Sequence, residues 1–259
     1  ICSIINKSFD SSHVPTEFKH AIVSPLLKKL FLDCENLKNY RPVSNLCTLA
    51  KVTEKMAMKR LYGHFDENNL REPLQSAYRP GHSTETALVK VFNDCLTMID
   101  KKQCVLLVLL DLSAAFDTVD HSVMLQRLEK LFGVTGSALE WLRSYFSERF
   151  QRVVVGDSSS KPVELTTGVP QGSVVGPGAF SAYTKPLGSI IREHESDLHL
   201  YADDTQLYVG CHIADCQVKK EKLEKCISAV RYWMSNSMLK LNDDKTEYLI
   251  IGSRHVLNN

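Results

Sequence analysis

Two adjacent acids, Asp203 and Asp204, sit in the stretch HLYADDTQLYVG between runs of apolar, aromatic and β-branched residues. Leu198, Leu200 and Ala202 alternate with His199 and Tyr201, and residues 207–209 resume the pattern. The alternation predicts two short strands joined at Ala202-Asp203-Asp204-Thr205, with the acids on a hairpin tip. Neighbouring carboxylates repel, so ionising both in a semi-enclosed turn costs free energy unless a cation neutralises them. A divalent metal suits the pair, because Mg²⁺ takes oxygen ligands and binds through one or two carboxylates completed by phosphates and water. An exposed Asp-rich turn is the plain alternative.

A third acid, Asp111, closes the apolar run VLLVLLD. A strand-end Asp111 beside a hairpin bearing Asp203 and Asp204 is the arrangement that two-metal phosphoryl transfer requires. One ion lowers the pKa of an attacking hydroxyl and the other stabilises a leaving pyrophosphate, the ions standing about 3.5–4 Å apart. Asp111 and Asp203 would bridge both ions, and the carbonyl of Leu112 would add an oxygen. All of this requires that carboxyl groups far apart in the chain converge.

The 259 residues, 44% of them hydrophobic, support a sizeable core in one large domain or two subdomains. Lys+Arg 31 against Asp+Glu 30 leaves a net charge of +1. Global charge therefore announces no polyanion partner, and any nucleic-acid surface must be local. The eight cysteines (Cys2, Cys34, Cys47, Cys95, Cys104, Cys211, Cys216 and Cys226) form no CxxC pair and match no common zinc spacing. They read mostly as reduced core thiols. No secretory signal is visible, and the longest apolar run, Cys104–Leu110, is far short of the roughly 20 residues of a membrane span. An intracellular protein without a membrane partner is expected. The chain opens on Ile1 without a Met and stops soon after a strand-like segment, so it reads as a fragment of something longer.

Residues 1–20 say little, FDSSHVP reading as a connection after a helix. Residues 21–27 predict a strand, with Pro25 favouring an edge, and Lys28 and Lys29 follow it. NYRPVS at 39–44 reads as an extended turn, and 48–62 has helical spacing with its lysines on a solvated face. A turn-rich stretch at 75–85 leads into a helix over 84–99 with Ser83 as N-cap. Residues 105–111 predict a fully buried central strand, and 122–132 and 137–146 core-facing helices. A strand at 149–155, a DSSSK turn and a return over 163–167 follow. GVPQGSVVGPG at 168–178 must be a loop with unusual backbone angles, leading to a helix over 179–191. A surface helix over 218–234 and a strand–turn–strand over 240–251 close the chain.

Taken together, LLVLLDLSAAFDTVDH, GVPQGSVVGP, HLYADDTQLYV and LNDDKTEYLIIG, in that order, resemble the reverse transcriptase of a non-long-terminal-repeat (LINE-type) retrotransposon. The upstream VSPLLKK, NYRPVSNL and QSAYRPGHSTETAL resemble fingers motifs of the same enzymes, closest to elements of the jockey and chicken-repeat kind. The resemblance covers nearly the whole chain. It implies an α/β (α+β) right-hand polymerase fold whose palm carries an antiparallel sheet, with the thumb absent or truncated. Fingers and palm helices would occupy about 20–104 and 121–165, and the palm about 105–120 and 166–259. The implied activity is RNA-directed DNA polymerisation with two Mg²⁺ ions, Mn²⁺ being the alternative. An RNA template, a DNA primer and a dNTP would be its partners, in nucleus and cytoplasm.

Residue by residue, Asp111 and Asp203 resemble the metal-bridging acids, and Asp204 the supportive second acid of the YADD signature. Phe116 matches the bulky residue under the nucleotide sugar, whose ring would clash with a 2′-hydroxyl. By pattern alone it is equally a core aromatic. Gln171 resembles the residue contacting the incoming nucleotide, and Gly168 and Gly172 would allow close backbone approach, unless they mark a plain turn. Arg41 with Lys28 or Lys29 resembles the cations that clamp the triphosphate. Lys245 matches the proposed general acid for pyrophosphate, with a solvated turn lysine as its bland counterpart. One departure is Gly178-Ala179, where related sequences usually carry two bulky apolar residues; uncompensated, this removes packing. Two other functions stand beside the enzyme. One is a catalytically inactive nucleic-acid-binding remnant, disfavoured by the intact acids. The other is an RNA-templated RNA polymerase, disfavoured by Phe116.

Overall fold

The computed structural model describes residues 1–113 and 115–254. Ala114, inside the LSAAFD stretch, and residues 255–259 lie outside the described residues. In chain order the elements begin with α1 (Cys2–Asp10), β1 (His20–Leu27), β2 (Tyr40–Asn45), α2 (Thr48–Glu67), α3 (Thr84–Asp100) and β3 (Cys104–Leu110). Next come β4 (Leu112–Ser113), α4 (His121–Phe132), α5 (Gly136–Phe146), β5 (Arg149–Val155), β6 (Ser158–Ser159) and β7 (Val163–Leu165). The rest is α6 (Val175–Thr184), α7 (Pro186–Glu193), β8 (Asp197–Tyr201), β9 (Asp204–Cys211), α8 (Cys216–Asn236), β10 (Lys240–Leu241) and β11 (Glu247–Ile251). They group into two compact units, Ile1–Leu70 with Phe116–Ala182, and Arg71–Ala115 with Tyr183–Asn259.

The second unit is built on an antiparallel sheet in the order β11-β3-β9-β8. The unbroken apolar run of β3 explains its central place: a strand covered on both faces has no polar side to present. Val105, Leu107 and Tyr208 form one core with Val91 and Cys95 of α3. α8 packs against β9 and buries Leu223, Cys226, Ile227 and Val230. α3 starts where Ser83 predicted. The Ser83 hydroxyl accepts from the Thr86 N–H at 3.2 Å, and Thr86 Oγ1 accepts from the Ser83 N–H at 2.8 Å, a reciprocal cap.

In the first unit the sheet runs β2-β1-β5-β6, with β7 also pairing β5. β1 and β5 are parallel and the other pairs antiparallel. Two expectations need correction here. NYRPVS is a paired strand rather than a turn, Leu26 facing Arg41 and Pro25 facing Pro42. As an edge strand, β2 tolerates the donor that Pro42 lacks. The single helix expected over 179–191 is two helices. α6 begins inside the glycine-rich stretch at Val175, and Pro186 opens α7 at a first-turn position, where its missing N–H costs nothing.

The Gly178-Ala179 step is compensated. A Cβ at Gly178 would collide with Met58 Cε and with the Tyr62 hydroxyl, so side chains of α2 occupy the volume that a larger residue would take. A cavity of only about 10 Å³ remains between Met58, Val175, Gly178 and Ala179, at the lower limit for one water.

Candidate active site

β3 and β9 pair antiparallel from Cys104↔Cys211 to Leu110↔Thr205. One further step of that register sets Asp111 opposite Asp204, and directly opposed side chains stand about 5 Å apart at Cβ. Asp203 takes the second place of the two-residue turn between β8 and β9, closed by the pair Tyr201↔Asp204. The connection is thus tighter than the four residues expected, with Asp203 on the turn and Asp204 opening a strand.

The first turn residue, Ala202, adopts φ +56°. That left-handed backbone costs a residue with a Cβ about 1 kcal/mol. Gln75, buried, holds it there. Its Oε1 accepts from the N–H groups of Ala202 and Ala77, each at 3.0 Å, and its Nε2 donates to the Ala202 carbonyl at 3.3 Å.

Asp111 is set from the other side. Its Oδ2 accepts from Asn242 Nδ2 at 3.2 Å and from Lys245 Nζ at 3.0 Å, while its carbonyl accepts from the Asn242 N–H at 2.9 Å. The turn carrying Lys245 is tied to α8 by a two-pronged Arg231–Asp243 pair at 3.0 and 2.7 Å. Leu112 follows directly in β4, opposite Leu241 of β10.

Partial desolvation lifts the Asp204 carboxyl above the usual range, the charges of Asp203 and Asp111 lift it further, and Lys245 pulls it back. Asp203, Asp111 and Lys245 therefore all bear on Asp204. Like charges gathered this way are relieved by a cation, and an all-oxygen donor set selects a hard divalent one. The residues present fit such an ion.

The remaining predicted residues, Phe116, Gln171, Gly172, Arg41, Lys28 and Lys29, belong to the other unit. Two groups form there. The loop before α6 is stitched to the Phe116 segment: the N–H of Val169 donates to the Phe116 carbonyl and that of Gly168 to the Val119 carbonyl, both at 2.8 Å. Gln171 Nε2 donates to the Asp117 carboxylate at 3.2 Å, which partly offsets the upward push of desolvation on that acid. The Phe116 ring, half-buried, stacks on buried Phe180 at 4.9 Å. A Cβ on Gly172 (φ +126°) would meet the Ser44 carbonyl oxygen at 2.6 Å, and one on Gly168 (φ +83°) that of Asp117 at 2.8 Å. Close approach to the chain's own backbone is thus reason enough for both glycines.

The second group is basic. Arg41 faces Leu26 within the β1–β2 ladder, and Lys28 and Lys29 follow the end of β1. All three are exposed, and Lys28 Nζ donates to the Lys38 carbonyl at 2.7 Å.

Sequence reasoning missed Gln75, Asn242 and Glu54. Glu54, buried on α2, accepts from the N–H groups of Val174 and Val175 at 2.5 and 3.3 Å and from the Tyr145 hydroxyl at 3.1 Å, so it caps α6. Its own signal was available: an acid at a position buried with Ala50, Ala57 and Met58 of the same helix.

The family model for reverse transcriptase (RNA-dependent DNA polymerase) matches residues 27–255. The chain is 31% identical over 217 residues to a probable RNA-directed DNA polymerase from transposon BS of Drosophila melanogaster, covering 82% of this chain and 24% of that protein. It is 26% identical over 256 residues to the RNA-directed DNA polymerase from mobile element jockey of the same fly, covering 97% and 27%. The chain thus spans about a quarter of the length of these curated relatives. Among solved structures, an apo telomerase from Candida tropicalis truncated from its C-terminal domain matches with TM-score 0.65 at 11% identity, over 92% of this chain and 51% of that one. The likeness is one of fold, the right-hand polymerase fold with mixed α/β elements.

Proposed function

Because the chain belongs to the reverse transcriptase (RNA-dependent DNA polymerase) family, we propose that it copies RNA into DNA, joining dNTPs to a DNA primer's 3′-hydroxyl with release of pyrophosphate. The observation that carries this reading is the placement of Asp111, bonded to Asn242 and Lys245, at the end of the β3–β9 pair that leads into the turn bearing Asp203 and Asp204. Intact acids favour an enzyme over a nucleic-acid-binding remnant. No described helix is long and apolar enough to cross a membrane. The reading sets the work in nucleus and cytoplasm, where RNA templates occur.

Asp111 and Asp203, with the Leu112 carbonyl, would hold two divalent ions, Mg²⁺ or in its stead Mn²⁺, and Asp204 would support them by its charge. When bound, such ions lower the pKa of the primer hydroxyl and stabilise charge on the departing pyrophosphate. The chain's own residues do the rest. Gln75 and Asn242 orient the carboxylates. Lys245 carries a proton at Nζ, held against Asp111 until phosphate competes for it. Gln171 orients the nucleotide, and Phe116, its ring braced by Phe180, excludes a 2′-hydroxyl. Arg41 meets the triphosphate together with Lys28, and Lys29 is the alternative. Template grip rests on backbone contacts and stacking, because a polymerase must accept every sequence. In this reading the unit with the acid-bearing sheet serves as palm and the β1–β2 hairpin belongs to the fingers.

Primer extension on poly(rA) with Mg²⁺ tests the proposal. The parent should extend, and Asp203→Asn should lose about a thousandfold or more in rate, several kcal/mol of transition-state stabilisation. Extension that survives the substitution removes the metal assignment.

A further inference from the structure

At the far end of the same strand pair from the acids, Cys104 opens β3, Cys211 closes β9 and Cys216 opens α8. The three sulfurs gather at one point. Cys104 Sγ lies 3.2 Å from Cys211 Sγ and 3.9 Å from Cys216 Sγ, and Cys211 and Cys216 are 3.2 Å apart. Among the described residues these are three metal-ligating atoms all within 4.8 Å of one another. We propose that Cys104, Cys211 and Cys216 form a tri-thiolate site for a thiophilic cation such as Zn²⁺, clamping the start of α8 to the ends of β3 and β9.

The geometry is close to what the ion needs. Zinc–sulfur bonds of about 2.3 Å in a tetrahedron put sulfurs about 3.8 Å apart, so the triangle need open by only about half an ångström along two edges. A disulfide would use two of the sulfurs and strand the third, whereas one ion uses all three. Two of the thiols are buried and Cys216 is half-buried, so the fourth coordination position faces the solvent side and would take water or a small external thiol. Cys216 is also the first residue of the 21-residue helix α8. Loading exchanges protons for metal: three thiols and M²⁺ give a tri-thiolate complex of charge −1 and release three H⁺.

Ligand chemistry keeps the two ends apart. Seven strand residues, about 24 Å at the extended rise, separate Cys104 from Asp111. Oxygen donors at one end take hard ions and sulfur donors at the other take soft ones. In sequence the site was hidden, because its ligands are contributed by strand register and a Cys-x4-Cys spacing across a helix start, not by a zinc-finger pattern.

The test is titration of the reduced, metal-stripped chain with Co²⁺. One equivalent should bring up a thiolate-to-cobalt charge-transfer band with tetrahedral ligand-field bands, and Zn²⁺ should bleach both. Zn²⁺ at a hundredfold excess over Kd should raise Tm by about 5–10 °C. A chain with Cys2→Ser, Cys34→Ser and Cys47→Ser, which removes the three exposed thiols, should behave the same. Cys216→Ser, checked for folding by circular dichroism, should weaken Co²⁺ at least tenfold. Absence of the band in the folded parent overturns the proposal without reference to any variant. So do an unchanged band in Cys216→Ser, or an intact mass showing that two of the three thiols form a disulfide despite reductant.

Discussion

The turn that carries Asp203 and the loop that carries Gln171 are built in opposite ways. The β8–β9 turn is held mainly by its own strands: pairing from Asp197↔Tyr208 to Tyr201↔Asp204 brings the chain to Asp203 with no freedom of register. The loop before α6 has no strand partner of its own and is held by contacts distant in sequence. Ser44 of β2 donates to the Gln171 carbonyl at 2.7 Å, and Glu54 of α2 receives the N–H groups at 174 and 175. A locally specified turn tolerates changes elsewhere, whereas a loop assembled from long-range hydrogen bonds fails when one distant side chain is lost.

Glu54 is the sharpest place to break the comparison. Glu54→Ala leaves two N–H groups and the Tyr145 hydroxyl without their acceptor, beside a buried Arg149 whose charge loses its counterpart. We expect a loss of about 3 kcal/mol or more, read as a fall in Tm of about 6–12 °C. No residue of the β8–β9 turn should cost as much stability. The pH dependence carries its own sign. Burial holds the folded Glu54 carboxyl above the ordinary carboxylate value, against the pull of its hydrogen bonds and Arg149. Between that ordinary value and the raised one the folded state keeps a proton that the unfolded state has lost. Stability therefore falls as pH rises through this window. Glu54→Gln, which keeps an acceptor but cannot titrate, should flatten that slope, as chemical denaturation across pH would report.

Phe116 sharpens the same contrast in function. Its segment is bonded to the loop through Val169 and Gly168, and its ring rests on Phe180. In the proposed function Phe116 stands in the sugar's path, and on that reading Phe116→Val should lower discrimination against ribonucleotides by about a hundredfold while dNTP incorporation persists. Equal discrimination in parent and variant, measured as the ratio of kcat/KM for the two nucleotides, would return Phe116 to a packing role.

On the hairpin side the effect should be kinetic. Gln75→Ala removes both side-chain hydrogen bonds to the Ala202 backbone and a third to the Ala77 N–H, but leaves the strand pairing whole. A small displacement of Asp203 costs rate more than stability. We expect kcat to fall about ten- to a hundredfold, with KM for the nucleotide nearly unchanged. A rise in KM with kcat retained would mean that Gln75 shapes binding and not the acids.

These contrasts explain what could be read from the sequence. An apolar run closed by an acid marked β3, alternation around paired acids marked the β8–β9 hairpin, and Ser83 marked the start of α3, because each signal lies within a few residues of its effect. The division of α6 from α7 was legible too, in Pro186, but the glycine-rich run before it masked a helix that starts at Val175 once Glu54 supplies its cap. Gln75 and Asn242 were invisible for one physical reason. A polar side chain whose hydrogen-bond partner lies more than a hundred residues away leaves no period and no local spacing behind it.

Ala202 offers the smallest effect and the finest test. Relief of its positive φ by Ala202→Gly is worth about 1 kcal/mol, but glycine's extra freedom in the unfolded chain gives back about 0.5–1 kcal/mol, so Tm of the single variant should hardly move. In the Gln75→Ala background the balance changes, because the strained Ala202 backbone no longer has its two hydrogen bonds from Gln75. There the glycine should recover stability lost with Gln75, giving a coupling of about 0.5 kcal/mol or more in a double-mutant cycle. The rate should stay low, since a freer turn positions Asp203 no better. Recovery of kcat together with Tm would show that strain at Ala202, and not the direction imposed on Asp203, is what Gln75 controls.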